Sequence, residues 1–243
     1  MIKKIYRKII NRLDSSPKFP ADFEAEHQRI CAKVAPFTMT SQERVFSLIE
    51  AVKYIHKYKI QGDIVECGVW KGGSMLAIAE TLKALNDTDR ELFLYDTFEG
   101  MSAPSAEDET FNGEDASDLL QQDQAKKGLI WAYSALDTVK QTMGLSQYNP
   151  EKINYIAGKV EDTIPARIPQ KIALLRLDTD WYESTKHELI HLFPLLQRGG
   201  ILIIDDYGFW KGARKAVDEY FDEYQFPVFL SRIDDTGRIA IKQ

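Results

Sequence analysis

The 243-residue chain is poor in the side chains that build thiolate or imidazole metal centres: it has two cysteines and four histidines. Cys31 and Cys67 lie far apart and form no metal-like pair. Cys67 also falls in a run expected to be a buried strand, so both read as reduced thiols of a cytosolic protein. Positive charge is not in excess either. A formal net charge of -6 argues against a nucleic-acid binder, which needs a basic surface to neutralise phosphates. No apolar run approaches the length of a transmembrane helix. Neither G-x-G-x-x-G nor the Gly-Lys-Ser/Thr of a P-loop occurs, and there is no internal repeat or low-complexity segment. The bases Lys3, Lys4, Arg7, Lys8 and Arg12 are not followed by an apolar h-region, so this stretch is not expected to be a signal peptide.

What remains is an ordinary globular composition, 44% hydrophobic and 28% charged, long enough for one large domain with appendages. On a helix, Ile2, Ile5, Tyr6, Ile9, Ile10 and Leu13 form one stripe with the bases opposite. Such an arm packs on its own domain or a second subunit, or alternatively attaches to an anionic membrane surface. Residues 14–40 read as a linker with short helical pieces, so 1–40 is set apart from the domain at 41–243. Ser41 is a possible N-cap, and Val45, Leu48, Ile49, Val52 and Ile55 recur at helical spacing up to about Lys59.

From there strands and helices alternate. Asp63–Gly68, Glu91–Asp96, Lys152–Ala157, Lys171–Leu177 and Gly200–Ile204 read as strands. Ser74–Leu85, Ile130–Met143, Glu183–Leu196 and Ala213–Glu223 read as helices. Phe226–Ser231 and Arg238–Ile241, joined by Asp235-Thr236-Gly237, read as a closing antiparallel pair. The expectation is an α/β fold: a seven-stranded, mostly parallel, doubly wound sheet covered on both faces. That pattern fits a class I S-adenosylmethionine (SAM) methyltransferase, and a dinucleotide-binding fold almost as well. Residues 99–130, acidic and weakly hydrophobic, break the rhythm and read as a lid or binding-loop insertion.

Val65-Glu66-Cys67-Gly68-Val69-Trp70-Lys71-Gly72-Gly73-Ser74 runs strand, acid, glycine turn, helix start. Its spacing supports a pyrophosphate cradle poorly. An acid ending the first strand suits a cationic or hydroxylated ligand, such as the amino-acid part of SAM. Asp96 ends the second strand within one βαβ unit of Glu66, where a carboxylate can hold both hydroxyls of a ribose. Lys171–Tyr182 and Gly199–Tyr207 are strands that end in acids: Asp178 and Asp180 in the first, Asp205 and Asp206 in the second. Four carboxylates converging at one sheet edge need a cation or protons to coexist. Hard oxygen donors without clustered Cys or His select Mg²⁺, Mn²⁺ or Ca²⁺.

His187-Glu188-Leu189-Ile190-His191 satisfies the zinc-peptidase pattern H-E-x-x-H. The apolar stripe of that helix, however, is Leu189, Leu192, Phe193 and Leu196, which turns both histidines roughly away from the core and toward solvent. Trp181, Tyr182, Tyr207 and Trp210 flank the acids, as packing or as a platform for a sugar ring.

Three stretches, LRLDTDWYEST, IIDDYGFWKGARKAVDEY and VECGVWKGGSM, resemble the macrocin/mycinamicin-type (TylF/MycF) O-methyltransferases, a family that includes a novobiocin-pathway enzyme. The similarity covers about residues 40–243. It implies a class I SAM methyltransferase fold and a SAM-dependent, Mg²⁺-requiring enzyme that methylates sugar hydroxyls of natural products, often as an oligomer. By the same resemblance Asp178, Asp205 and Asp206 are the metal ligands and Asp180 the general base. Glu66, Gly68, Ser74, Asp96, Gly158 and Val160 then lie in the cofactor-contacting regions. A catechol-type acceptor and a non-catalytic SAM-binding module are the alternatives.

Overall fold

The computed structural model describes residues 19–122 and 129–243; the basic arm, and part of the 99–130 insertion, lie outside that range. One seven-stranded sheet carries the molecule: β1 (Asp63–Cys67), β2 (Leu92–Asp96), β3 (Ile153–Ala157), β4 (Ile172–Leu177), β5 (Leu196–Ile204), β6 (Ser231–Arg232) and β7 (Arg238–Ile241). The strand order is β3-β2-β1-β4-β5-β7-β6. All neighbours from β3 to β5 run parallel, and β7 is antiparallel to both β5 and β6. The order reverses between β1 and β4, so the crevice of a doubly wound sheet opens there.

Strand β4 is buried at every position, as a central parallel strand must be when helices cover both faces. On one face lie α1 (Ala25–Val34), α2 (Gln42–Lys57), α3 (Gly73–Ala84) and α5 (Leu136–Gly144), sharing a core that includes Ile30, Val34, Ile49, Val52, Ile78 and Val139. Helix α4 (Ala116–Gln122) belongs to the insertion. A single helical turn, α6 (Val160–Thr163), follows β3. On the other face α7 (Tyr182–Leu192) and α8 (Lys211–Tyr224) cover the sheet through Leu189, Leu192, Val217 and Tyr220.

Helix α2 follows the sequence pattern closely. The hydroxyl Oγ of Ser41 accepts from the Arg44 amide at 3.1 Å, and Val45, Leu48, Ile49, Val52 and Ile55 are all buried. Three expectations need correction. The stretch assigned to a linker contains α1, whose buried residues Ile30, Cys31 and Val34 join the main core. The helix expected over Ile130–Met143 is broken. A 3-10 turn at Leu129–Trp131 is followed by Ala132 at φ 43°, and α5 starts only after Ala135 takes an extended N-cap conformation. The strand expected over Phe226–Ser231 shrinks to Ser231–Arg232, since Pro227 has no N–H to give a ladder at the sheet edge.

The described part of the insertion is tied down. Asp108, 1% exposed, accepts at Oδ2 from the Ser105 amide and hydroxyl (2.7 and 2.8 Å) and at Oδ1 from the Tyr182 amide (2.8 Å), which opens α7. Trp181 and Trp210 meet edge to face at 5.0 Å and pack with Ala116, Leu120 and Ala213. These two tryptophans therefore spend their surface holding the insertion to the domain. Of the other flanking aromatics, Tyr182 donates to Glu219 and Tyr207 to Asp218, each at 2.6 Å.

Candidate active site

The backbone ladder continues one rung past the ends of the central strands. The Gly68 amide donates to Tyr95 O (2.9 Å), Asp178 to Cys67 O (2.8 Å), Asp205 to Leu177 O (3.0 Å) and Gly158 to Asp96 O (3.0 Å). Residues just beyond each strand are thereby held in the register of the sheet. Side chains from distant points of the chain converge on one rim as a result. Glu66, Gly68, Ser74, Asp96, Gly158, Val160, Asp178, Asp180, Asp205 and Asp206 all line a single cleft of ≈ 390 Å³, a size suited to a nucleoside ligand.

The glycine turn is shaped by close approach. Gly68 has φ +80°, and a Cβ there would sit 2.0 Å from the carbonyl oxygen of Asp178. A Cβ on Gly73 would lie 2.4 Å from the carbonyl oxygen of Phe37, so the segment leading into α2 can lie directly over the loop. Asp96 organises the same turn. Its Oδ2 accepts from the amides of Val69 (2.7 Å) and Trp70 (3.0 Å), and its Oδ1 from Phe98 (2.7 Å). Burial raises its pKa, and these three amides hold the rise in check.

Glu66 is 1% exposed and paired with Arg176 across the β1–β4 register, Nη1 to Oε1 at 2.5 Å. Among the described residues its Oε2 has no hydrogen-bond partner, which leaves an acceptor in the wall of the cleft for a donor such as an ammonium group. Burial pushes the Glu66 carboxyl up to about 7 despite Arg176.

On the other side, one oxygen each from Asp178, Asp205 and Asp206 lie within 4.8 Å of one another. Burial pushes Asp178 well above the usual carboxylate range, against the pull of Arg176, with Asp205 and Asp206 adding to the rise. Asp206 is likewise pushed well up by burial and by Asp180 and Asp205. Asp180, in the left-handed region at φ 70°, is raised to about 7 by burial, with Asp178 and Asp205 adding to a rise that a hydrogen bond with Asp206 limits. Three hard oxygens this close, two of them on Asp178 and Asp206, whose ionisation burial resists, fit a divalent cation better than they fit three free carboxylates.

Two arginines escaped the sequence reading. Arg176, 3% exposed in an otherwise apolar strand, donates to Asp178 Oδ2 (2.7 Å) and Asp205 Oδ1 (2.6 Å) as well as to Glu66. A lone charge in a fully buried strand, two residues from an acid, was the available signal. Arg44, from the first turn of α2, donates through Nη1 to Asp205 Oδ2 and through Nε to Asp234 Oδ2 (2.8 Å). No local pattern joins residues so far apart in sequence.

The three motif residues His187, Glu188 and His191 do not line this cleft, although Ser184 of the same helix does. His187 and His191 are half-buried rather than solvent-facing, their rings tilted against each other with centroids 4.4 Å apart, and His187 pairs with the Ile164 carbonyl (2.9 Å). Glu188 is fully buried and accepts from the Thr179 hydroxyl (3.0 Å). Among the described residues the only group of three or more potential ligands close enough to share a cation is Asp178, Asp205 and Asp206. No helix of the described residues is long and apolar enough to cross a membrane.

Known proteins resemble the chain along almost its whole length. The model of the Macrocin-O-methyltransferase (TylF) family matches residues 2–241. A Streptomyces olivaceus enzyme, 8-demethyl-8-(2,3-dimethoxy-alpha-L-rhamnosyl)-tetracenomycin-C 4'-O-methyltransferase, is 31% identical over 241 residues, spanning 98% of this chain and 89% of its own. Mycinamicin III 3''-O-methyltransferase of Micromonospora griseorubida is 30% identical over 82% of this chain and 76% of its own. The solved structure of the O-methyltransferase NovP superposes with a TM-score of 0.75 at 27% identity, covering 85% of this chain and 82% of that one. The chain thus belongs to the macrocin O-methyltransferase (TylF) family and is a SAM-dependent O-methyltransferase with the seven-stranded class I fold.

Proposed function

We propose that the enzyme transfers the methyl group of SAM to a sugar hydroxyl of a glycosylated natural product, and that it does so with Mg²⁺ held by Asp178, Asp205 and Asp206 and with Asp180 as general base. The observation that carries this reading is the meeting of three carboxylate oxygens within 4.8 Å at the wall of the cofactor cleft. The names of the relatives support the acceptor class: one is named for a rhamnosyl tetracenomycin, another for mycinamicin III.

In this reading Glu66 Oε2 meets the ammonium of SAM, and Gly68, Ser74, Gly158 and Val160 line the bed of the cofactor. Asp96 holds the Val69–Trp70 turn and faces the ribose. The reaction is an in-line displacement, so the first task of these residues is to hold donor and acceptor oxygen in line. A bound Mg²⁺ supplies Lewis acidity, lowering the pKa of a hydroxyl that it touches. Asp180 takes the proton: a carboxylate raised to about 7 is a stronger base than an ordinary one and still ionised in part near neutrality. Met39 and Phe209, both substantially exposed on the cleft lining, offer apolar surface to the acceptor.

The division of the chain at residue 40 belongs to this proposal, with α1 packed on the core of the domain, as does assembly into an oligomer. The test is a methyl-donor assay over a panel of glycosylated acceptors, with matched catechols, in Mg²⁺ and in excess EDTA. The reading expects methylation at a sugar hydroxyl that EDTA removes. Turnover of catechols alone would reassign the acceptor, and undiminished turnover in EDTA would remove the metal.

A further inference from the structure

Asp205 is the most enclosed of the three proposed ligands, 4% exposed, and both of its oxygens are engaged by arginine. Arg176 takes Oδ1 from within the sheet. Arg44 takes Oδ2 from outside it, and Arg44 is itself fastened. Its Nε donates to Asp234 Oδ2, its amide to the Ser41 hydroxyl, and that hydroxyl donates onward to Asp234 Oδ2 at 2.6 Å. Asp234 is pinned in turn through Oδ1 by the amides of Thr236 (3.0 Å) and Gly237 (2.8 Å). The start of α2 and the β6–β7 turn therefore form one rigid clasp, and its free end is a guanidinium on a carboxylate of the metal cluster.

We propose that Arg44 competes with the divalent cation for Asp205, so that it sets the metal affinity of the site and couples metal binding to the start of α2. This rests on the reading of Asp178, Asp205 and Asp206 as metal ligands. The physical reason is charge and space. A cation that takes Oδ2 as a ligand displaces Nη1 or meets a like charge beside it, and in a mostly buried site such repulsion is poorly screened. Arg176 is a weaker competitor because it also serves Glu66 and Asp178 from inside the sheet and is fully enclosed. Arg44 can yield because Asp234 retains its Nε. The segment just before α2, Phe37–Thr40, lines the same cleft, and its Phe37 carbonyl lies over Gly73 of the glycine turn. Release of Arg44 is thus felt where SAM binds.

The test is Mn²⁺ binding to the full-length protein, followed by calorimetry and by the electron paramagnetic resonance of free Mn²⁺, without cofactor or acceptor. Arg44→Met removes the charge and keeps the stem. It is expected to bind Mn²⁺ about tenfold or more tightly than the unaltered protein. Arg44→Lys keeps a charge but lacks the fork that spans Asp205 and Asp234, and is expected to fall between the two. Circular dichroism checks folding, and if the Met variant does not fold the Lys variant carries the test alone. Affinity equal to or weaker than that of the unaltered protein, in a folded variant, overturns the competition. If instead the unaltered protein binds no Mn²⁺ and Arg44→Met uncovers none, the metal reading itself fails, a separate and recognisable outcome.

Discussion

Two sets of acids stand on the same rim of the same sheet and are satisfied in opposite ways. At the end of β2, Asp96 spends its charge on three backbone amides, and the turn it gathers becomes a fixed part of the protein. Across the switch point, the acids that follow β4 and β5 have few amides to answer them. They lean on Arg176 and Arg44 and on one another, and burial resists the ionisation of Asp178, Asp180 and Asp206. A carboxylate held by amides is architecture. Carboxylates crowded together are held ready for a cation or a proton.

That contrast can be broken by substitution. Asp180→Asn is expected to lower turnover by about 10²–10⁴-fold while leaving SAM affinity nearly unchanged, read from methyl transfer and from calorimetry. A variant that keeps full activity would end the role of Asp180 as base. Next in size, Asp205→Asn should weaken Mn²⁺ or Mg²⁺ binding by about tenfold or more, since a neutral amide replaces a charged ligand. Unchanged metal titration would move the metal elsewhere.

Asp96→Ala should show the reverse pattern. Stability falls by about 2–3 kcal/mol in urea denaturation as three amides lose their acceptor, SAM affinity falls with it, and metal affinity does not. Were its metal affinity to drop as far as that of Asp205→Asn, the two sets of acids would be one unit and the contrast would fail. The smallest effect concerns pH. Glu66 and Asp180 are raised to about 7, so the folded protein binds protons more tightly than the unfolded chain. With a chelator present, this contribution to stability is complete below the ordinary carboxylate pKa of about 4 and is lost as pH rises through about 7. Melting temperatures in EDTA should decline over that interval, and Mg²⁺ should flatten the decline. A flat profile in EDTA would mean that the acids ionise freely.

Much of this was open to reading in the chain itself. The runs ILIIDD and LLRLDTD announce buried parallel strands ending in acids, because a strand covered on both faces has to be apolar throughout and a charge marks where it emerges. VECGVWKGGS announces a turn by the same logic. The acids and the glycine turn read this way meet in one cleft, together with Gly158 and Val160, which the family resemblance supplied. The weakly hydrophobic insertion was harder. Its local pattern gives no sign that Asp108 caps α7 or that Trp181 and Trp210 close over Ala116 and Leu120. The helix expected over Ile130–Met143 fails for a related reason, since the conformation of Ala132 is set by neighbours and not by helical propensity.

By itself, then, the sequence determined the strand–helix alternation, the acid-ended strands and the glycine turn, all written in near-neighbour patterns of burial and backbone freedom. Only the tertiary structure decided which charge answers which. Arg176 meets Glu66 because β1 and β4 are adjacent and in register, and Arg44 meets Asp205 and Asp234 because α2 begins beside the β6–β7 turn. Charge pairing acts through a few ångströms of space and is indifferent to separation along the chain, so it becomes visible only once the sheet has brought its rims together.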